Sequence, residues 1–556
     1  MGIFQNLSEG GQTWAHRMRM LRQVFKIATL VSSSVGLFVL MVMMLDLPAI
    51  FYQSTWYYLK AVILKDLVTH IEINASFWSK LAHEYHRQSN VSVPIQKALS
   101  LTYPQTQLLL KATLTNLGIS STITSISWCC LMGFFFIKGR VFKGKKHISG
   151  TKISSARFLK FKLFLLNRAS SIRIGPLPLI KGTETQHMII TGGTGSGKSN
   201  CINHLLIRIK KNNQKAIIVD TNGAFVKRFY RPNIDILLNP FDQRSVSWHP
   251  WVECRNSFDF EALAESFIPQ SYHESENYWR QAGRTLLSSV LQKLDNSKKT
   301  SELTNWLLFE TLPRLCSFVE GTKAASHMDI NSERTSSSVR SVTASFLSCI
   351  EHLNDAEDVF SIRDWIQNEE QCNWLFINCA PGQRAAINPL LSSWISVAIR
   401  SLIQLETNLD RRLWFILDEL PSLPKVKDLE TFLVESRKYG GCGVLALQSI
   451  SQLESIYGKE STKTIVGNCS TKVVFSEQDP EIAERVSRMF GQREVKEFQE
   501  GISYGAHEVR DGVSLSSHNK FLPVVTSTDI QSLKKNAAFV RLPGQNPVTK
   551  VKFPII

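Results

Sequence analysis

The sequence predicts an α/β chain with a largely parallel sheet, an all-α insertion in the sheet domain, and two apolar helices ahead of both. Short continuous apolar runs alternate with helical patterns in the second half of the chain, as in parallel sheets whose strands are joined by crossover helices. Residues 250–358 show helical patterns without a convincing strand. Two uncharged segments of bilayer length lie before residue 138.

Both uncharged segments predict transmembrane helices. Ile27 to Leu45, at about 1.5 Å per residue, is just long enough to cross a bilayer core. Ala112 to Ile137 is richer in Ser and Thr but ends in a strongly apolar run. Helices buried in a protein core are the alternative. We therefore expect transmembrane helices at 27–46 and 112–137 and a small extracytoplasmic domain at 47–111.

Basic residues on the outer flanks of these segments predict their orientation. They are Arg17, Arg19, Arg22 and Lys26 before the first segment and Lys138, Arg140, Lys143, Lys145 and Lys146 after the second. Positive flanks stay inside the cell, so the tail 1–26 and the chain after the second span are expected to be cytoplasmic. Residues 138–168 contain ten Lys or Arg and no acid. This basic segment fits either a belt on anionic lipid or a collar at the mouth of a nucleic-acid channel.

Composition narrows the class of protein. With 556 residues the chain has room for about three domains, and 43% hydrophobic residues suffice for a sizeable core. The formal net charge of +17 indicates a polyanionic partner, either nucleic acid or acidic lipid. Ten cysteines without a C-x-x-C pair disfavour a zinc site and a disulfide framework, and they fit a reducing compartment.

The stretch HMIITGGTGSGKSN, residues 187–200, has the order strand, glycine-rich loop, helix. This order is typical of a phosphate-binding loop, in which backbone N–H groups and the following helix N-terminus face an anion. Lys198 is expected to reach the β- and γ-phosphates, and Ser199 to bind Mg²⁺. The residues expected to bind the nucleotide are Gly192, Gly193, Thr194, Gly195, Ser196, Gly197, Lys198 and Ser199. The predicted cofactors are ATP and Mg²⁺.

A second acidic site follows a continuous apolar run. Leu413 to Leu417 predicts a central parallel strand, and Asp418 and Glu419 come at its carboxyl end, where ligands bind in open α/β sheets. We expect Asp418 to hold the water shell of the magnesium and Glu419 to act as the general base for the attacking water. Together with the phosphate-binding loop, these acids predict an ATPase.

Two further polar residues are candidates for the same site. Gln448 ends another predicted strand, level with the two acids, and can sense the γ-phosphate; a capping or loop glutamine is the alternative. Arg437 lies late in a helical run that Gly440 and Gly441 terminate. It can compensate the helix dipole, or it can be an arginine finger for the site of a neighbouring subunit.

The remaining strands set the domain boundaries. Strands are predicted at 215–223, with Asp220 at the end of its apolar run, and at 373–379, 442–449 and 471–475. The gap between the second and third strands breaks the alternation of strand and helix. We therefore expect an all-α domain at 250–358 that divides the nucleotide-binding domain into 138–249 and 359–556.

Six stretches of the chain resemble the type IV coupling proteins of conjugative plasmids, of the TraD/TrwB type. They are GGTGSGKSN, LLNPFDQRSVSW, FSIRDWI, WFILDELPSL, ESRKYGGCGVLALQSISQLESIYG and ISYGAHEVRDGVS. With the two amino-terminal spans they cover nearly the whole chain, in the order of the family. LNPFDQR and the SYGA…VRDGVS pair are far more specific than a phosphate-binding loop.

The resemblance implies a hexameric inner-membrane ATPase with a RecA-like fold and a periplasmic domain at 47–111. Such a protein couples a relaxase and its single-stranded DNA to a type IV secretion channel and drives DNA transfer. The resemblance places Lys198 and Ser199 on nucleotide and metal, and Asp418 and Glu419 on hydrolysis. It also makes Gln448 and Arg437 site residues. We expect largely sequence-independent DNA binding and a two-pass protein with both termini in the cytoplasm.

Three alternatives remain. The motor can deliver effector proteins instead of DNA, although the positive charge favours DNA. It can be a double-stranded DNA translocase of the chromosome-segregation type, but such proteins usually have more spans and a winged-helix tail. It can also be a membrane receptor or scaffold whose ATPase only gates assembly. Processive, DNA-stimulated turnover distinguishes a motor from a receptor.

Overall fold

The computed structural model describes residues 2–83, 90–142, 146–271, 274–503 and 512–556. Lys143 and Lys145 of the predicted basic flank, and 504–511 of the stretch ISYGAHEVRDGVS, lie outside the described residues. The chain forms two compact units. One comprises 1–146 and 497–518, and the other comprises 147–496 and 519–556.

The first unit is built on two long helices. Its elements are α1 Gly2–Leu45, α2 Ala49–Leu64, β1 His70–Asn74, α3 Ala75–Ala82, β2 Asn90–Pro94 and α4 Ile95–Phe142. Strands β1 and β2 pair antiparallel. They pack with α3 around a small core that contains Ile73 and Trp78. The first predicted span, 27–46, lies within α1 except for Asp46, and the second, 112–137, lies within α4.

Three described helices are long and apolar enough to cross a membrane. Met18–Leu45 and Ile95–Lys138 have apolar windows that are only 17% and 6% buried. The third, Arg384–Ile403, is 72% buried, because it packs inside the second unit. Low burial of an apolar surface is what a lipid-facing helix shows and what a core helix does not. By this measure the first two helices are the candidate spans.

Helices α1 and α4 approach closely through small and polar residues. The Ser120 hydroxyl donates a 2.7 Å hydrogen bond to the carbonyl oxygen of Gly36. The Asn116 amide donates a 3.3 Å bond to the carbonyl oxygen of Met43. A Cβ atom on Gly36 would lie 1.9 Å from Oγ1 of Thr124. This is the small-residue packing that lets helix backbones meet in membranes.

After α4 the described residues form fifteen strands and fifteen α-helices, of which β3, β14 and β15 run across the boundaries between the two units and the others belong to the second unit. The strands are β3 Lys146–Gly150, β4 Ile153–Ser155, β5 Ala169–Ile174, β6 Leu177–Ile180, β7 Met188–Thr191, β8 Lys215–Asp220, β9 Ile236–Leu238, β10 Trp374–Asn378, β11 Leu413–Leu417, β12 Gly441–Leu447, β13 Thr471–Val474, β14 Gln492–Ser503, β15 Gly512–Pro523, β16 Ala537–Arg541 and β17 Val548–Lys552. The helices are α5 Ala156–Leu165, α6 Lys198–Lys211, α7 Ala224–Phe229, α8 Ser257–Phe267, α9 Glu274–Lys293, α10 Thr300–Thr304, α11 Leu312–Val319, α12 Glu333–Leu347, α13 Ile362–Gln367, α14 Arg384–Ile403, α15 Leu429–Glu435, α16 Ile450–Tyr457, α17 Lys459–Asn468, α18 Pro480–Arg488 and α19 Ser527–Gln531.

Ten of these strands form one sheet in the order β4-β17-β16-β13-β7-β12-β11-β8-β10-β9. The seven strands from β13 to β9 are parallel. Strand β16 is antiparallel to β13 and to β17. One strand, β12, lies between β7 and β11, so the ends of these three strands are neighbours. The predicted α/β class with a parallel sheet is confirmed.

The apolar runs of the central strands serve both faces of the sheet. In β8, Ile217 and Val219 belong to a core that includes the helical insertion and α14. Ala216 and Ile218 belong to a second core, formed with α5, α6 and α7 on the other face. Because both faces are covered, the strand is continuously apolar instead of alternating.

Between 250 and 358 the described residues form helices and no strand. The two ends of this insertion are held together by buried polar groups. Glu253, at its start, accepts hydrogen bonds from the backbone N–H groups of Ile362 (2.7 Å) and Arg363 (3.0 Å). Arg363 forms a two-bond ion pair with Asp259, both bonds 3.1 Å. Burial raises the pKa of Glu253, and its hydrogen bonds oppose that shift. The stretch FSIRDWI, which follows the insertion, is thus bonded to the residues at the start of the insertion.

Candidate nucleotide site

The glycine-rich loop joins β7 to α6, as its sequence predicts. Gly192 and Gly197 have φ values of +150° and +125°. A Cβ atom on Gly192 would lie 2.6 Å from Cβ of Phe475, and one on Gly197 would lie 2.6 Å from Oδ1 of Asn536. Both positions therefore require glycine for space as well as for backbone conformation.

The middle of the loop is open to solvent. Thr194 and Gly195 are exposed, and Gly195 has a φ of +71°. The N–H group of Gly193 donates a 2.9 Å bond to the carbonyl oxygen of Ser476, which holds the loop to the end of β13. Ser196 is buried, and its hydroxyl has no partner among the described residues. The loop can thus offer an unpaired hydroxyl to a ligand.

Lys198 begins α6 and points back over the loop. Its Nζ donates to the carbonyl oxygens of Gly192 (2.6 Å) and Gly193 (3.1 Å). Burial lowers the pKa of Lys198, and the negative charges of Asp418, Glu419 and Glu477 oppose that shift. A cation in this position is stabilised by anions, whether carboxylates or phosphates.

Asp418 follows β11 directly and is buried, 6% exposed. Burial, followed by the negative charges of Asp220 and Glu419, raises its pKa to about 7, whereas Lys198 lowers it. A bound cation would favour the ionised carboxylate. Asp220 itself accepts hydrogen bonds from three backbone N–H groups before and within α7, which gives it a structural role in its own loop.

The side chains of Glu419 and Gln448 are hydrogen-bonded to each other. Nε2 of Gln448 donates a 2.6 Å hydrogen bond to Oε1 of Glu419. The Thr194 hydroxyl donates a 3.3 Å bond to Oε1 of Gln448. Glu419 has a left-handed backbone, with φ 56°, a conformation that costs a non-glycine residue free energy and recurs at active sites. Gln448 therefore connects the phosphate-binding loop to the acid that follows β11.

The hydroxyl and carboxylate groups near the loop suit Mg²⁺, and they do not suit a metal that is coordinated by protein side chains alone. Ser199 is exposed in the first turn of α6. Within the described part of the chain, no group of three or more His, Cys, Asp or Glu residues forms a metal cage. Mg²⁺ keeps several waters and takes one or two carboxylate or hydroxyl ligands along with phosphate oxygens. One hydroxyl and one buried carboxylate of raised pKa fit that requirement.

Arg437 lies near the amino-terminal end of β12, whereas the phosphate-binding loop lies at the carboxyl ends of the parallel strands. It belongs to a 3-10 turn, Ser436–Tyr439, which ends at Gly440 with φ 85° and leads into β12. Gln448 follows the other end of β12, so the length of that strand, about 23 Å, separates the two residues. Arg437 is exposed. The structure thus separates Arg437 from Lys198, Asp418, Glu419 and Gln448, which it brings together.

Two residues next to the loop were not predicted from the sequence. Glu477 follows β13 at the same sheet edge and is 9% exposed. The signal for it was present, since an acid follows the predicted strand 471–475. Asn536, which has a φ of 59°, donates its N–H to the carbonyl oxygen of Ser196 at 2.9 Å. It lies 338 positions after Lys198, and no local pattern links the two.

Comparison with known proteins places this geometry in a family. The family described as "Type IV secretion-system coupling protein DNA-binding domain" matches residues 171–554. The coupling protein TraD of Escherichia coli (strain K12) is 35% identical over 441 residues, which cover 76% of this chain and 61% of TraD. The chain therefore spans less than two thirds of that relative.

Solved structures of the bacterial conjugative coupling protein TrwB have the same fold. TrwBdeltaN70 in its unbound monoclinic form is 30% identical, with a TM-score of 0.67, over 75% of this chain and 96% of TrwBdeltaN70. TrwB in complex with ADP and Mg²⁺ is 30% identical, with a TM-score of 0.66, over 74% and 95%. The RecA-like fold with an inserted all-α region is thereby confirmed, and the chain belongs to the type IV secretion-system coupling protein family.

Proposed function

We propose that this chain is a membrane-anchored ATPase that drives single-stranded DNA, with its bound relaxase, into a type IV secretion channel. The observation that carries the proposal is the convergence of Lys198 with Asp418 and Glu419 at one sheet edge, in a chain of this family. The relative TrwB has been solved with ADP and Mg²⁺, which supports ATP and Mg²⁺ as the ligands here.

In this proposal the loop from Gly192 to Ser199 binds the nucleotide. The backbone N–H groups of the loop and the N-terminus of α6 face the phosphates. Lys198 exchanges its carbonyl partners, Gly192 and Gly193, for β- and γ-phosphate oxygens. The exchange is favourable because an ammonium group bonds more strongly to an anion than to a neutral carbonyl.

Bound Mg²⁺ would offset the charge of the phosphate oxygens. Ser199 would offer its hydroxyl to the metal, and Asp418 would orient water bound to it. Glu419 is the general base: it takes a proton from the attacking water. Gln448 orients Glu419 through the 2.6 Å bond and can report on the γ-phosphate through Thr194.

Arg437 is proposed to act on a neighbouring subunit. Its position across the sheet excludes it from the site of its own chain, because β12 separates it from Gln448. A ring of identical subunits with head-to-tail contacts would bring Arg437 of one subunit to the phosphates of the next. We propose a homohexamer for the active form.

The membrane part of the proposal is a two-pass inner-membrane protein with both termini in the cytoplasm. The low burial of the apolar windows in Met18–Leu45 and Ile95–Lys138 supports two spans. The basic residues outside them support the orientation. Residues 47–111 would then form a small periplasmic domain, and the domain boundaries proposed from the sequence would be 138–249, 250–358 and 359–556.

The test is ATP turnover by the full-length chain in nanodiscs, with and without single-stranded DNA. DNA should stimulate turnover, and its affinity should fall steeply with salt and depend little on sequence, because phosphate contacts release counterions. Lys198→Ala should abolish turnover. Stimulation by protein substrates alone would favour delivery of effectors, and stimulation by duplex alone would favour a double-stranded DNA translocase. Turnover that ignores every cargo would favour a receptor.

A further inference from the structure

Helix α5, Ala156–Leu165, is apolar on two opposite faces. Leu159 and Leu163 are 0% and 2% exposed and belong to the core that covers one face of the sheet. Phe158, Phe161 and Leu165 are 58%, 64% and 74% exposed. At about 100° per residue, these three side chains form a stripe on the side of the helix that faces away from the buried pair. The packing of the second unit explains the buried face and leaves the outer face unexplained.

The outer face extends past these three residues. Phe164 is 50% exposed, and Leu166, directly after the helix, is 52% exposed. Soluble proteins rarely expose contiguous large apolar side chains of this kind, and such a patch marks a binding surface. We call the exposed side chains Phe158, Phe161, Phe164, Leu165 and Leu166 the α5 stripe.

Positive charge surrounds the α5 stripe. Lys160 and Lys162 lie on the two sides of it by helical geometry, and Arg157 lies beside Phe161. The Arg173 guanidinium lies 6.0 Å from the ring centre of Phe164. The helix contains no acid, and neither does the whole segment 138–168. A partner must therefore be apolar at its centre and anionic at its rim.

A membrane surface with anionic headgroups meets both requirements. Interfacial helices insert Phe and Leu at the acyl boundary and place Lys and Arg among the headgroups. Residues 143–155 separate α5 from the end of α4, and a segment of that length reaches at most about 45 Å. We propose that the α5 stripe binds the inner leaflet of the membrane that α1 and α4 cross. The proposal depends on the proposed two-pass topology in one respect: the topology decides that the leaflet bound by the α5 stripe is the inner one.

Single-stranded DNA is the competing partner, since aromatic and basic residues also bind bases and phosphates. Proteins that do so use a groove in which bases stack on rings. The α5 stripe is the convex outer face of a helix, and it includes the aliphatic Leu165 and Leu166, which offer no ring for stacking. The observations thus favour lipid over nucleic acid.

The test is site-specific photocrosslinking of the full-length protein in nanodiscs of phosphatidylcholine and phosphatidylglycerol. The photoreactive residue p-benzoylphenylalanine replaces Phe161 in one variant. It replaces Phe136, 63% exposed in α4, as the positive control. It replaces Phe309, 68% exposed in the insertion, as the matched negative control. Adducts are identified by mass.

We expect lipid adducts at Phe161 at least about fivefold above those at Phe309, decreasing when phosphatidylglycerol is omitted, because binding needs both apolar area and anionic lipid. Lipid adducts at Phe136 without any at Phe161 would overturn the proposal and leave the two-pass topology intact. Absence of lipid adducts at Phe136 as well would contradict the topology. Adducts to added single-stranded DNA or to a second copy of the chain, in place of lipid, would overturn the proposal in favour of that partner.

A second readout keeps the charge argument testable. Lys160→Glu combined with Lys162→Glu leaves the α5 stripe unchanged and reverses the charge beside it. This variant should lose the dependence of the Phe161 lipid adduct on phosphatidylglycerol. An unchanged dependence would show that the lysines do not face headgroups.

Discussion

Gln448 donates a 2.6 Å hydrogen bond to the carboxylate of Glu419 and accepts one from the hydroxyl of Thr194. This glutamine is a positioning residue in our proposal, and its loss should affect the chemical step more than binding. Gln448→Leu should keep ATP affinity within about threefold and lower kcat by about 10–100-fold, because the base loses its orientation. Binding of a fluorescent ATP analogue and steady-state turnover measure the two effects.

The comparison variant for this prediction is Glu419→Gln. It should bind ATP and lower kcat by about 10²–10⁴-fold, since an amide cannot accept the proton. Gln448→Glu, which places a second carboxylate beside Glu419, should shift the pH optimum of turnover upward. If Gln448→Leu raises KM and leaves kcat unchanged, Gln448 binds nucleotide and does not position Glu419.

Arg437 should act across a subunit boundary. Arg437→Ala and Lys198→Ala should each be inactive as pure proteins, since a finger arginine contributes about 10³–10⁵ in kcat and the lysine is needed for binding. Mixed rings contain boundaries with an intact loop on one side and an intact arginine on the other. Their turnover, measured after co-reconstitution, should partly recover.

The control for this experiment mixes Glu419→Gln with Lys198→Ala. Both changes lie in the nucleotide site of a single subunit. Every subunit in this mixture therefore has a defective site, and an intact Arg437 on the neighbouring subunit cannot restore turnover. Recovery in the first mixture above the level in the second supports the trans role. Equal activity in both mixtures, with mixed rings demonstrated by pull-down, would contradict it.

His187 should make the second unit less stable in acid. It is buried, and its Nδ1 accepts a 3.0 Å hydrogen bond from the N–H of Gly443. Burial lowers its pKa from 6.5 to about 4. Between these values the unfolded chain binds the proton and the folded chain does not, so stability is lost as pH falls from 6.5 towards 4. The loss should be about 2.5 kcal/mol at pH 4.5, measured by urea unfolding followed by tryptophan fluorescence.

His187→Asn isolates this contribution. Its side-chain oxygen can accept from the N–H of Gly443, and asparagine has no group that binds a proton in this pH range. The variant should show a shallower decline of stability below pH 6.5. His187→Leu, which removes the acceptor, should be destabilised at every pH. Parallel curves for His187→Asn and the parent chain would show that other groups cause the acid sensitivity.

Gly36 should be essential for the pairing of α1 and α4. A Cβ atom there would collide with Oγ1 of Thr124 at 1.9 Å. Gly36→Leu should therefore destabilise the helix pair by about 1–3 kcal/mol, measured as the midpoint of unfolding of the detergent-solubilised full-length protein. Gly118→Leu is the matched control, because a Cβ atom at Gly118 meets nothing within 4 Å. Equal effects of the two changes would show that helix propensity, not packing, is responsible.

The sequence predicted those parts of the fold that rest on local patterns. Strands β7, β8, β10, β11, β12 and β13 lie where continuous apolar runs predicted them. The short β9 and the antiparallel strands β16 and β17 were not predicted. A three-residue strand such as β9 has no detectable period, and β17, VTKVK, mixes polar with apolar residues. The placement of β12 between β7 and β11 depends on packing and cannot be read from any one segment.

The candidate site divides in the same way. Lys198, Asp418 and Glu419 follow directly from strand ends and a glycine-rich loop, because such ends meet at one edge of a parallel sheet. The bond from Gln448 to Glu419 and the proximity of Glu477 to Lys198 required the order of the strands. The contact of Asn536 with the loop required the antiparallel strands that bring the chain back to α6.

Strand β12 is a rigid rod of seven residues with Arg437 before one end and Gln448 at the other. If Arg437 enters the neighbouring site as proposed, one strand touches two nucleotides. A shift of Arg437 when the neighbour loses its γ-phosphate would move Gln448, and with it Glu419, in the subunit's own site. The subunits would then hydrolyse ATP one after another around the ring. The cargo would advance in steps, which would not occur if all subunits hydrolysed ATP at the same time.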